Sequence, residues 1–247
     1  MDHNLPITEC LYTDSCPIDQ LDTLLGIELM VFEQEKAAIQ VKKAVKSIEK
    51  AVIEIYNHLT KYKSGRIIYV GAGTSGRIGV QDSVELFPTF NWPKNRVDFI
   101  IAGGTNAVFK AIENAEDDIE IATAAVEKKL INNQDAVIAL AASGNTPFTC
   151  EVLEKSRKKG ALTIAISNNP LGKILKSGKV NIILDTKQEV IAGSTRLKAA
   201  TAQKICLNII SSMVMVKMGR VKNGQMSNMV PTNNKLRKRK IFIDSHI

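Results

Sequence analysis

Arg66-Ile67-Ile68-Tyr69-Val70-Gly71-Ala72-Gly73-Thr74-Ser75-Gly76-Arg77 is the stretch that decides the fold of this chain. An apolar, β-branched run enters a glycine-rich turn with two hydroxyls, and a helical pattern carrying Ile78, Val80 and Val84 follows. Such a pattern describes a buried strand, a loop that needs close backbone approach, and a helix whose free N–H groups point back into the loop. Anions are attracted to such a corner. Backbone N–H groups, the helix dipole and the hydroxyls of Thr74 and Ser75 together hold a phosphate without a metal. A Gly-x-Gly turn also occurs as a plain strand-to-helix connection, so the remainder of the chain has to decide.

Downstream, Val- and Ile-rich runs at 97–102, 136–141, 162–167 and 180–184 join 66–70 to give five buried parallel strands. Helical stretches at about 75–86, 107–130 and 147–159 alternate with them, which predicts a three-layer α/β/α sandwich with a five-stranded parallel sheet in the middle. Right-handed crossovers put the loops that follow the strands along one sheet edge, where open α/β sheets bind ligands. Helices precede the sheet. Ile18, Leu21, Leu24, Leu25 and 27–32 form one apolar stripe, and Val41, Val45, Ile48, Val52, Tyr56 and Leu59 repeat at three and four residues to form another. The second face must find something to cover, and a partner subunit is the expected choice. A later helix at about 194–218 carries Leu197, Ala202, Ile205, Ile209 and Met213 on one side, and 222–247 is expected to be mostly loop. The predicted organisation is an N-terminal segment with helices (1–62), an α/β unit that carries the phosphate-binding loops (63–221) and a tail (222–247).

With 247 residues the chain is long enough for a full core, and its net charge of +8 suits an anionic partner. Much of that charge lies in runs at 42–50, 61–63, 155–159 and 236–240 that are ordinarily solvated faces. Neither a helix-turn-helix pattern nor an aromatic platform accompanies the run at 236–240, so no nucleic acid is expected. Cys10, Cys16, Cys150 and Cys206 have no Cys-x-x-Cys pairing and form no ligand-spaced cluster with His3, His58 and His246, so no metal is expected. The start of the sequence has no long apolar run, which predicts neither a leader nor a membrane anchor and gives a reducing cytoplasm as the compartment.

Two later loops share the composition of the first. Ala102-Gly103-Gly104-Thr105-Asn106 follows the second strand, and Ala142-Ser143-Gly144-Asn145-Thr146-Pro147 follows the third. Pro147 marks a helix start, so Ser143, Asn145 and Thr146 are placed to donate to phosphate oxygens, with an ordinary helix cap as the plainer role for Thr146. Glu85 comes late in the helix that begins at the first loop. Glu113, Glu116 and Asp117 fall in the stretch expected to be helical after the second, where a three-residue spacing puts Glu113 and Glu116 on one side. A pair of carboxylates at a sugar phosphate suits proton abstraction at one carbon and protonation of a leaving oxygen, although any single helical glutamate is equally a solvated surface group.

In Thr8-Glu9, Ile18-Asp19, 69–77, Pro88-Thr89-Phe90, 102–104, Ala115-Glu116-Asp117, 142–147, 193–198, 201–204 and Thr232-Asn233 the chain resembles the N-acetylmuramic acid 6-phosphate etherases. These belong to the sugar isomerase (SIS) superfamily, which also contains the glucokinase regulatory protein. The resemblance covers nearly the whole chain and implies a flavodoxin-like SIS fold and a cofactor-free carbon–oxygen lyase. The implied reaction removes the D-lactyl ether at carbon 3 and adds water, giving N-acetylglucosamine 6-phosphate. Glu85 is implied as the acid and Glu116 as the base. The loop residues Gly73, Thr74, Ser75, Gly76, Ser143, Asn145 and Thr146, with Ser194 from a matching stretch, are the expected phosphosugar contacts. Because Glu85 lies ten residues of helix, roughly 15 Å, beyond Ser75, a homodimer whose partner supplies Glu85 is expected. A non-catalytic phosphosugar sensor is the alternative that the same superfamily offers.

Around Glu85 the family reads Asp-Ala-Ser-Glu-x-Pro-Pro-Thr, whereas here Asp82-Ser83-Val84-Glu85-Leu86-Phe87-Pro88-Thr89 stands. The family also continues into a further C-terminal helical segment, and this sequence ends at Ile247 after Lys240-Ile241-Phe242-Ile243-Asp244-Ser245-His246.

Overall fold

The computed structural model describes residues 5–231 and 234–245. Thr232-Asn233, His3 and His246, all invoked above, lie outside the described residues. Five parallel strands, β1 (Ile67–Gly71), β2 (Val97–Ile101), β3 (Ala136–Ala141), β4 (Leu162–Ser167) and β5 (Val180–Ile183), form one sheet in the order β2-β1-β3-β4-β5. Two helices, α1 (Thr23–Lys43) and α2 (Val45–Lys61), precede the sheet. Then come α3 (Gly73–Phe90), α4 (Ile119–Lys128), α5 (Pro147–Lys158), α6 (Lys198–Lys217) and α7 (Asn234–Asp244).

Strand alternation builds two separate cores. Ile67, Tyr69, Ile138, Leu140, Ile164 and Ile166 point to the face covered by α2, α3 and α6. Their neighbours Ile68, Val70, Val137, Ala139 and Ala165 point to the face covered by α4 and α5. Every residue of β1, β3 and β4 is buried, because both faces of these central strands are covered. The strand order reverses between β1 and β3. From there the chain leaves β1 toward α3 on one face and leaves β3 toward α5 on the other, which opens a crevice at the carboxyl edge of the sheet.

Three expectations change. The repeat from Val41 to Leu59 is for the most part no free face: Val41, Ile48, Val52 and Leu59 sit in the core against the sheet and α6, because β3–β5 need a cover on that side, while Val45 stays exposed at its margin. The helix expected over 107–130 is shorter. Thr105–Val108 is a 3-10 turn, 109–118 is irregular, and α4 starts only at Ile119, where Asp118 accepts from the Ile121 N–H at 2.8 Å and caps it. Asn114, with φ of 57°, breaks any helix through Glu113 and Glu116. The tail is not loop throughout: 222–231 hold no helix, but α7 forms after them with Leu236 and Lys240 half-buried and Ile243 buried on one stripe.

Helix α6 is long and apolar enough to cross a bilayer, yet over half of its most apolar window is buried among α1, α2 and α3. Its first residue closes a polar network. Lys198, 2% exposed, donates to Glu33 at 2.5 Å, and Glu33, also 2% exposed, accepts from Tyr12 at 2.8 Å and from Lys36. Glu189 accepts from the Lys198 and Ala199 N–H groups at 3.1 and 2.8 Å and so caps α6. Burial pushes the Glu33 carboxyl up, but the bonds from Lys198, Lys36 and Tyr12 outweigh it and hold the group below the usual carboxylate range. Lys198→Met leaves part of that charge uncompensated and is expected to cost about 3 kcal/mol in urea unfolding. Since the folded Glu33 value is depressed, its stabilisation is present above the unfolded value near 4.5 and is lost as pH falls through the lower folded one.

Candidate active site

At the crevice between β1 and β3 lies a cavity of about 420 Å³. Its floor is the first turn of α3, with Gly73, Thr74 and Ser75 in the lining. Gly76 lies beneath and is buried; a Cβ there would meet the Gly71 carbonyl oxygen at 2.8 Å, so only glycine lets the turn close this tightly. No side chain caps α3 at Ala72, and its first N–H groups therefore face the cavity.

The opposite wall is the loop after β3. Ser143, Asn145, Thr146 and Pro147 line it. Thr146 occupies the N-cap of α5 but makes no capping hydrogen bond, which leaves its hydroxyl available. The Asn145 carboxamide accepts from the Lys173 N–H at 3.0 Å and braces the loop, and the Ser143 hydroxyl accepts from the Asn145 N–H at 3.2 Å. Two uncapped helix starts thus converge on one space. Their partial positive charge suits a phosphate.

No lysine, arginine or histidine lines this cavity among the described residues; its charged groups are Glu9, Glu116 and Asp117. Arg77, the cation of the opening motif, turns away and donates to the Ala107 and Lys110 carbonyls at 3.0 and 3.2 Å, tying down the irregular segment. Glu116 is secured from the other side: its carbonyl accepts from the Phe148 N–H at 2.9 Å, which pins the turn to the start of α5. Glu113 reaches only a neighbouring hollow of about 240 Å³ that Glu116 shares, so of the two glutamates only Glu116 faces the uncapped helices. Thr105 and Asn106 of the second loop line neither space.

Glu85 lies elsewhere. It is exposed on the outer part of α3 and does not line the cavity. Ten residues separate it from Ser75, roughly 15 Å along a straight helix. The helix is fixed in that direction by Asp82, buried one turn earlier, which accepts from Tyr69 at 2.7 Å, Asn208 at 2.7 Å and Ser211 at 3.1 Å. Burial and the Asp82 charge push the Tyr69 hydroxyl well above its usual range, so it stays a donor. Ser194 is likewise outside the lining, which takes its neighbours Gly193 and Thr195 instead. Glu9 and Thr195 are wall residues to which only the matching stretches Thr8-Glu9 and 193–198 point, and Asp117, a carboxylate beside Glu116 with no role assigned from the sequence, lines the wall with them. Cys150 below the loop is no nucleophile, because burial pushes its thiol up to about 11.

This arrangement is a doubly wound α/β sandwich with a cavity at the switch point of its sheet, a fold shared with solved sugar-phosphate-binding proteins. Residues 44–157 match the glucokinase regulatory protein N-terminal SIS domain. The phosphoheptose isomerase of Francisella tularensis superposes with a TM-score of 0.59 at 19% identity over 80% of this chain and 98% of that one. The Vibrio vulnificus NanR protein complexed with ManNAc-6P does so with a TM-score of 0.52 at 11% identity, over 90% of this chain and 70% of that one. Sequence relatives are nearer. An N-acetylmuramic acid 6-phosphate etherase of Symbiobacterium thermophilum is 39% identical over 98% of this chain and 79% of its own length. One from Deinococcus radiodurans is 41% identical over 94% of this chain and 75% of its own. The chain belongs to the N-acetylmuramic acid 6-phosphate etherase family.

Proposed function

We propose that this protein is an etherase that cleaves the D-lactyl ether of N-acetylmuramic acid 6-phosphate to give D-lactate and N-acetylglucosamine 6-phosphate. The observation that carries this reading is Glu116, a carboxylate pinned by its own carbonyl at the rim of a cavity floored by two uncapped helix starts. In the opened sugar the hydrogen on carbon 2 is acidic because it neighbours the aldehyde. Glu116 takes that proton, the bond from carbon 3 to the lactate oxygen breaks, and the departing oxygen takes a proton from Glu85. Water then adds at carbon 3 and carbon 2 is reprotonated. The 6-phosphate rests on the N–H groups and hydroxyls of Thr74, Ser75, Ser143 and Thr146. Incubation with N-acetylmuramic acid 6-phosphate should release D-lactate, and release no faster than without protein refutes the activity. That outcome, with binding retained, is what the sensor reading requires; the match to a regulatory protein's SIS domain is the observation behind it.

Losing one hydroxyl that donates to a charged phosphate oxygen costs ~1.5 to 3 kcal/mol. Ser75→Ala should therefore weaken N-acetylglucosamine 6-phosphate binding about tenfold to a hundredfold in calorimetric titration. Unchanged affinity would remove Ser75 from the phosphate site.

A homodimer completes the proposal, with Glu85 supplied to each cavity by the second copy. Support comes from apolar surface that the single chain leaves exposed: Leu24, Leu25, Ile27, Val31 and Phe32 on α1, and a trough lined by Val45, Ile53, Ile209 and Met213. We place the enzyme in the cytoplasm, in keeping with four cysteines that are free thiols.

A further inference from the structure

We propose that Glu9 is a specificity-determining residue of the cavity: its carboxylate accepts a hydrogen bond from a hydroxyl or amide N–H of the bound sugar. The inference rests on the phosphosugar reading above and adds to it a group that selects the sugar rather than the phosphate.

Glu9 ends a short 3-10 helix, Ile7–Glu9, whose backbone is closed by the Glu9 N–H on the Pro6 carbonyl at 2.8 Å and anchored by the fully buried Thr8. Among the described residues it is the only one before β1 that lines the cavity. Its carboxylate lies over Gly193, whose φ is +73°. A Cβ built on Gly193 would stand 2.9 Å from Glu9 Oε2, so the missing side chain makes the room that the carboxylate uses. Among the described residues no hydrogen bond or ion pair is made to that carboxylate, unlike those of Glu33, Asp82 and Glu189.

An ionised carboxylate is an acceptor only. Near a phosphate it is repelled, the more so with Glu116 and Asp117 on the same cavity and no cation beside them. A ligand that covers Glu9 strips its water and leaves a charge unpaired unless the ligand brings a donor. Glu9 thereby favours a ligand with a phosphate at the end floored by α3 and α5 and a neutral donor at the Gly193 end. It penalises one that presents an acceptor or an apolar edge there.

The test compares N-acetylglucosamine 6-phosphate with inorganic phosphate by calorimetric titration of the wild-type chain, Glu9→Ala and Gly193→Ala. Glu9→Ala should weaken the sugar phosphate about tenfold to a hundredfold while inorganic phosphate binds as well as before or more tightly. Gly193→Ala should push the carboxylate aside and weaken the sugar phosphate in the same direction without weakening inorganic phosphate. Unchanged sugar-phosphate affinity in Glu9→Ala overturns the assignment, and so does an equal loss for both ligands, which would mean a damaged site. A wild-type chain that binds no sugar phosphate refutes the phosphosugar reading itself, a result distinct from either.

Discussion

Glu116→Gln is expected to lower D-lactate release by about a hundredfold to ten-thousandfold, the usual contribution of a positioned general base. The same substitution should abolish exchange of the carbon 2 hydrogen with deuterated solvent. Glutamine keeps the size of the side chain and its backbone bond to Phe148, so the fold and the affinity for N-acetylglucosamine 6-phosphate should remain. Glu85→Gln should behave differently. A group that only protonates the departing lactate is not needed to remove the carbon 2 proton, so lactate release stops while exchange stays measurable by proton NMR. The reverse pattern in the two variants would interchange the roles of acid and base.

The second large effect concerns where Glu85 acts. In a single chain it stands on the outside of α3, held there by the Asp82 bonds to Tyr69, Asn208 and Ser211. A sugar phosphate is shorter than the roughly 15 Å of helix between Ser75 and Glu85. In the proposed two-fold dimer, α3 of one copy would project its far end toward the cavity of the other, and both sites would be built alike. Glu85→Gln protein and a Ser75→Ala, Ser143→Ala double variant should each be inactive. Mixed under subunit exchange, they should recover activity, because a heterodimer then holds one site with intact phosphate loops and an intact Glu85. A mixture as inactive as its parents would place each site within one chain.

The two predictions differ in what they ask of the sequence. Local spacing sets Glu116 beside Glu113 on a helix that the structure does not form, and only the family resemblance singles out Glu116. Asn114 in the left-handed region and the Asp118 cap start α4 later, and a bond between the Glu116 carbonyl and Phe148, far along the chain, decides which glutamate meets the cavity. Nothing in the local spacing carries that information. Glu85, by contrast, is correctly read as lying on the helix after the first loop, and helix rise alone keeps it away from Ser75.

By itself the sequence determined the five strands, nearly to the residue, and the sandwich they build. The three central strands are continuous runs of apolar and small residues, and burial on both faces leaves that mark in consecutive residues, whereas the edge strands β2 and β5 carry Asp98 and Asn181 and are only partly covered. It also determined the two strand-to-helix corners that line the cavity, since a strand, a small-residue turn and a helix start are contiguous in the chain. Tertiary structure decided the rest. The repeat from Val41 to Leu59 has the same periodicity whether it meets a partner or its own sheet, and only the packing of α1 and α2 beside α6 puts Val41, Ile48, Val52 and Leu59 in the core and leaves Val45 exposed. Glu9 and Gly193 are neighbours across most of the chain, and Lys198 meets Glu33 over a separation of 165 residues. Periodicity records how much of a side chain is covered but not by what, so contacts between distant segments appear only once the layers have packed.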